Sequence, residues 1–134
     1  MGKSLIQTTN QSSQSVATNS IISLGTTLRR YGCNIRLSGN GIEVEGEGYY
    51  KIDANVSLAP TAIGNVTVAM YQDGVQIPGA IAYDSVSTAN SPVNLGIVGT
   101  IRKGCGCEGA SNLTLVLVDG ASTVSNVSVR VEKS

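Results

Sequence analysis

The segment Gly48–Leu58, with the sequence GYYKIDANVSL, alternates apolar and polar side chains along its whole length. The apolar positions are Tyr50, Ile52, Ala54, Val56 and Leu58. The positions between them are Tyr49, Lys51, Asp53, Asn55 and Ser57. A period of two places successive side chains on opposite faces of a β-strand, so one face is buried and the other is polar. The pattern therefore predicts a long strand over Tyr49–Leu58.

Similar alternation recurs along the rest of the chain and is separated by turn sequences. The clearest further strand segments are 65–70, 93–101, 113–117 and 127–131. Ser38–Gly41 and Asp73-Gly74 are typical of tight turns between antiparallel strands. No stretch of useful length has helical periodicity. We therefore predict eight to ten short strands from Ile21 onward, arranged as an all-β two-sheet sandwich or a barrel.

The length of 134 residues fits a single domain with a sizeable core. The chain has no Phe and no Trp, and its aromatic residues are five tyrosines. The core must therefore consist mainly of Val, Ile, Leu and Ala, several of which are β-branched and favour pleated strands.

Charge is sparse and balanced, with nine basic and nine acidic residues and no His. A neutral chain lacks the basic patch that nucleic-acid binding requires, and no apolar run is long enough for membrane insertion. The absence of His removes the commonest general base, and no nucleophile or phosphate-loop motif is present. These observations predict a protein that is not an enzyme and that has no cofactor and no metal site.

Residues 1–20 are rich in Ser, Thr, Gln and Asn and have no apolar periodicity. This composition is typical of segments that stay flexible or become ordered on a partner. We therefore predict an N-terminal arm over residues 1–20 and a β-domain over residues 21–134. The polar start of the chain does not match a secretory signal peptide.

Two parts of the sequence resemble the complement/tumour-necrosis-factor-like jelly-roll domains. In Gly39–Val44 followed by Gly48–Ile52, a turn precedes a Gly-x-Tyr segment that opens the long central strand in that family. The closing segment Ser125–Lys133 is similar to the final strand of that family. Met70–Ala80 and the Cys105–Cys107 turn are similar to short domains of this class in bacteriophage structural proteins and in Firmicutes surface or spore-coat proteins.

The resemblance implies a two-sheet antiparallel jelly-roll sandwich that forms a compact homotrimer. It also implies a structural or adhesion role, as a phage virion decoration, head-fibre or fibre-tip protein made in the bacterial cytoplasm. The arm, residues 1–20, would attach the domain to a capsid or tail protein. The alternatives are a bacterial surface or spore-coat domain of the same fold and a lectin-like carbohydrate-binding module.

The polar face of the central strand is the predicted contact surface between protomers. If this strand lies in the sheet nearest the threefold axis, its neighbours on adjacent strands share the same surface. The predicted trimer interface consists of Tyr49, Lys51, Asp53, Asn55, Val98, Thr100, Asn126, Ser128 and Arg130. The alternative is a solvent-exposed sheet face in a monomer.

The three cysteines, Cys33, Cys105 and Cys107, leave at least one thiol unpaired within the chain. A disulfide from Cys33 to either of the other two and a set of reduced thiols both remain open. Zinc usually takes four ligands, and three thiols without His do not complete such a set.

Three further tyrosines, Tyr31, Tyr71 and Tyr83, are candidates for contacts with a host-surface glycan. Their rings combine a flat apolar face with a polar hydroxyl group, a combination suited to binding sugars.

Overall fold

The computed structural model describes residues 4–32, 34–103 and 110–133. Within these residues the chain forms twelve β-strands and no helix. The strands are β1 (Ser4–Asn10), β2 (Gln14–Val16), β3 (Ser20–Ile21), β4 (Thr26–Tyr31), β5 (Ile35–Ser38), β6 (Gly41–Val44), β7 (Gly48–Pro60), β8 (Gly64–Gln72), β9 (Val75–Val86), β10 (Val93–Lys103), β11 (Ser111–Asp119) and β12 (Ser122–Lys133).

The strands build two antiparallel six-stranded sheets that pack face to face. Sheet A has the order β10-β7-β12-β1-β4, with β2 also paired to β12. Sheet B has the order β5-β6-β11-β8-β9, with β3 also paired to β11. The long strand predicted from Gly48–Leu58 is β7, and it lies between β10 and β12 in sheet A. The predicted jelly-roll sandwich is therefore confirmed.

The core between the sheets is almost wholly aliphatic. The alternating positions Ile52, Val56 and Leu58 of β7 are at most 2% exposed. Tyr50 is the one fully buried aromatic side chain among the described residues, and its hydroxyl donates hydrogen bonds of 2.7 Å to the Glu45 carbonyl and 2.9 Å to the Gly46 carbonyl. These bonds satisfy the polar end of a ring that is otherwise surrounded by apolar groups.

The structure differs from the expected N-terminal arm. Ser4–Asn10 forms strand β1, which pairs with β12 on one side and β4 on the other. Ile6 is fully buried in the core, and residues Gln14–Val16 also pair with β12. The polar composition carried no strand signal, because backbone pairing on both sides holds Ser, Thr and Gln in a strand without a regular apolar pattern. Nine of the twelve strands begin after residue 21, within the range that the alternation predicted.

Two tight turns confirm the expected hairpins. Asp73 and Gly74 join β8 to β9 with φ angles of 51° and 86°. Positive φ at both central residues is the geometry in which an Asp-Gly turn matches the twist of the flanking strands. Gly39, which has a φ of 60°, occupies the corresponding turn between β5 and β6.

Candidate functional site

The outer face of sheet A, the face directed away from the core, contains all nine residues of the predicted trimer interface. β7 contributes Tyr49, Lys51, Asp53 and Asn55, because its even-numbered residues face the core. The strands on either side contribute the rest, namely Val98 and Thr100 from β10 and Asn126, Ser128 and Arg130 from β12. Residues that are far apart in sequence are thus brought onto one continuous surface.

The strand register aligns these residues in rows across the sheet. Val98 pairs with Asp53, and Asp53 pairs with Arg130 on its other side. Gln7 of β1 extends this row, because it pairs with Arg130. The neighbouring rows contain Thr100 with Lys51 and Asn55 with Ser128. Gln7 was not predicted as part of the surface, since its segment had no recognisable strand pattern.

One apolar side chain is prominent on this mainly polar face, on the edge strand β10. Val98 is 69% exposed, although valine usually lies inside a fold of this size. Beside it lies a shallow groove of about 360 Å³, lined by side chains that include Gln7, Asn55 and Arg130. Gly96, which also lines the groove, has no side chain to fill it. The face therefore offers a protruding apolar group and an adjoining depression.

Two cationic side chains on this face have partners within the chain. The Arg130 Nη2 atom lies 3.3 Å from the Asp53 Oδ2 atom, and both side chains are about half exposed. The Arg102 guanidinium lies over the ring of Tyr49, with 6.0 Å between its Cζ atom and the ring centroid. An exposed ion pair of this kind contributes little stability in water, and a cation–π contact becomes stronger when it is desolvated.

The three candidate glycan tyrosines do not form one surface. Tyr31 ends β4 at the edge of sheet A, whereas Tyr71 and Tyr83 lie on the adjacent strands β8 and β9 of sheet B. The sequence alone could not show that these tyrosines lie on different sheets, because the assignment of a strand to one sheet or the other depends on long-range pairing. The three cysteines, Cys33, Cys105 and Cys107, lie outside the described residues, and their disulfide or thiol state stays a prediction.

No candidate metal cluster is found among the described residues. No group of three or more Asp, Glu, Cys or His side chains comes together in that part of the chain. The Glu43 carboxylate is engaged by Arg36 in a salt bridge across the β5–β6 hairpin. Over the same residues, no helix has the length and apolar character needed to cross a bilayer.

Comparison with solved structures identifies the architecture. Murine APRIL matches with a TM-score of 0.72 at 12% identity, covering 98% of this chain and 99% of that chain. The globular domain of the zebrafish complement 1qA protein matches with a TM-score of 0.70 at 8% identity, covering 94% of each chain. The chain is a jelly roll of the tumour-necrosis-factor and complement-C1q type.

The same fold extends to a phage protein. The PRD1 vertex protein P5 matches this jelly roll with a TM-score of 0.62 at 15% identity, covering 97% of this chain and 96% of that chain. No protein-family model and no curated protein matches the sequence. At such low identities the likeness establishes the fold, and function must be argued from the surface.

Proposed function

We propose that this jelly roll is a non-enzymatic structural and adhesion module of a phage virion, assembled as a homotrimer through the outer face of sheet A. The observation that supports the trimer is the exposed Val98 beside an open groove on the outer face of sheet A. The observation that supports the virion setting is the likeness to the PRD1 vertex protein, which spans nearly the whole of both chains.

The composition of the face suits contact between protein subunits. Interface centres favour apolar and aromatic groups with Arg and contain few unpaired charges, and polar groups surround them. Val98 and Tyr49 supply the apolar part, and Arg130 is already paired with Asp53. In a threefold ring, each subunit contacts its two neighbours through two different surface patches. The protruding side chain of one subunit can therefore pack into the groove of the next subunit.

The non-enzymatic role rests on the chemistry of the chain. It contains no His, and on the outer face of sheet A the Asp53 carboxylate and the Arg130 guanidinium are paired with each other. The jelly roll would act by display, and three copies would multiply weak contacts through avidity.

The proposal keeps attachment to a capsid or tail protein through residues 1–20, but it limits the contact to the part of this segment that lies outside the strands. Ser4–Asn10 is part of sheet A, so one region that can contact a partner is the turn Gln11–Ser13, whose side chains are exposed. Attachment should therefore be tested by substitutions in this turn, because truncation would remove β1.

The trimer is tested by light scattering coupled to size exclusion. We expect the wild-type chain to have the mass of three protomers and the Val98→Lys variant to have the mass of one. Lysine is chosen because Val98 lies opposite Asp53, so the new charge does not repel its neighbour in the monomer. Ile63→Lys is the matched control, because Ile63 is also 69% exposed but lies outside the face. A monomeric wild type, or a trimeric Val98→Lys variant, would contradict the proposed interface.

The virion setting is tested by mass spectrometry of purified phage particles and of cell-wall and spore fractions. The proposal expects peptides of this chain in the particles. Their absence from particles and presence in a wall or spore fraction would favour the alternative of a bacterial cell-surface or spore-coat domain.

A further inference from the structure

The outer face of sheet B carries a row of apolar side chains that has no function in the trimer proposed above. Ile21 pairs with Val116, Val116 with Ala69, and Ala69 with Ile81, so the row crosses four strands. Ile21 and Ile81 are 49% and 38% exposed, whereas Ala69 is fully buried between larger neighbours. The row is therefore recessed at Ala69, and its two end residues are exposed to solvent.

Two tyrosines flank this row on opposite sides. Tyr83 pairs with Thr67, two residues before Ala69 on β8, and Tyr71 lies two residues after Ala69. At the usual rise of a strand, the two tyrosine rows are about 13 Å apart. Tyr83 is 76% exposed, the largest exposure among the large hydrophobic side chains of the described residues.

The polar groups on the flanking rows are hydroxyls, amides and one carboxylate. Thr67 lies between Tyr83 and Asp119, and Tyr71 lies between Thr114 and Gln76. Asp119 is the only charged residue in these three rows, and none of them contains a cation. A surface with this composition does not attract anions, but it offers hydrogen bonds to a ligand rich in hydroxyl groups.

We infer that this face, formed by the Ile21–Ile81 row with Tyr71 and Tyr83, binds a neutral polysaccharide. Sugar rings would stack on the apolar tyrosine faces, and their hydroxyls would bond to Thr67, Gln76 and the Asp119 carboxylate. The spacing of the two tyrosines favours an extended polymer over a single sugar. The inference rests on the proposed adhesion function and names the class of ligand that the module would bind. It depends on the trimer only because three copies would bind with avidity.

The experiment is native affinity electrophoresis in gels that contain a soluble α-glucan, β-glucan or galactomannan. The gels are run near pH 8.8, because the sequence pI of about 6.2 makes the chain anionic there. We expect retardation in at least one gel, and we expect Tyr83→Ala to weaken binding by about tenfold, as the loss of one aromatic contact implies. Ile63→Ala is the control, because Ile63 is 69% exposed but lies between β7 and β8, outside both faces.

Absence of retardation in all three gels, or equal retardation of wild type and Tyr83→Ala, would overturn the inference. The mass of each variant is measured in parallel. If Tyr83→Ala changes the oligomeric mass, the face is an interface between copies of this chain and the glycan inference fails. A monomeric wild type that is still retarded would refute the trimer and leave the glycan site standing.

Discussion

At the scale of single residues, Thr8 places a hydroxyl group in the aliphatic core. Its side chain is fully buried, and its Oγ1 atom has no hydrogen-bond partner among the described residues. A buried hydroxyl without a partner loses its bonds to water and gains nothing in return. The residue therefore destabilises the fold relative to an apolar group of the same shape.

We expect Thr8→Val to raise the free energy of unfolding by about 1 kcal/mol. Ser122→Ala is the contrasting control, because the Ser122 hydroxyl is buried but donates a 2.6 Å hydrogen bond to the Gly120 carbonyl. That variant should lower stability by a similar amount. Both changes are measured by urea denaturation, and a loss of stability in Thr8→Val would contradict the assignment.

Tyr50 makes the stability of the fold sensitive to alkaline pH. Burial raises the pKa of its phenol above the ordinary value, and the nearby Glu45 carboxylate raises this pKa further. The unfolded chain loses the phenol proton near pH 10, while the folded chain still holds it. Since the unfolded state then binds fewer protons, the free energy of unfolding falls as pH rises above about 10.

The test compares wild type with Tyr50→Phe between about pH 8 and 11.5, a range that spans the ordinary phenol pKa. Tyr50→Phe should be less stable at pH 8, because it lacks the hydrogen bonds to the Glu45 and Gly46 carbonyls. The difference in the free energy of unfolding between the two proteins should become smaller at high pH, because wild type loses the contribution of its neutral phenol. Tyr49→Phe, on the exposed face, should follow wild type. A constant difference across the range would refute this role for Tyr50.

At the scale of elements, β1 decides whether the N-terminal segment can be removed without harm. It lies between β12 and β4, so its loss would separate β4 from sheet A and leave most of one edge of β12 unpaired. Leu5 and Ile6, two adjacent residues of β1, point to opposite faces of the sheet, and only Ile6 is fully buried in the core.

We expect Ile6→Ala to destabilise the fold by about 2–5 kcal/mol, the usual range for a buried aliphatic side chain. Leu5→Ala removes the same number of carbon atoms from the outer face and should cost clearly less. Chemical denaturation of the two variants checks the difference. If both variants lose little stability, and by equal amounts, residues 4–10 behave as an arm in solution and not as a strand of sheet A.

At the scale of the whole molecule, trimer assembly would couple folding to concentration. A partner subunit that binds only the folded state stabilises it by mass action. The melting temperature of wild type should therefore rise with protein concentration, whereas that of Val98→Lys should stay constant. Scanning calorimetry over a hundredfold range of concentration measures this, and a constant wild-type value would argue for a monomer.

Local chemistry in the sequence was sufficient for the parts of the fold that depend on near neighbours. The alternation in Gly48–Leu58 predicted β7 and its two faces, because side-chain direction in a strand follows from the backbone alone. Asp73-Gly74 predicted the β8–β9 turn, because few other residue pairs adopt its φ angles. The polar face of β7 followed from the same alternation.

Tertiary structure alone decided which strands became neighbours. Ser4–Asn10 entered sheet A through backbone pairing with β12, at the opposite end of the chain, and only one of its side chains, Ile6, is an apolar group fully buried in the core. Tyr31 was separated from Tyr71 and Tyr83 by the assignment of strands to sheets. Pairing of this kind depends on contacts between distant segments, and a period of two in one strand carries no information about its partner.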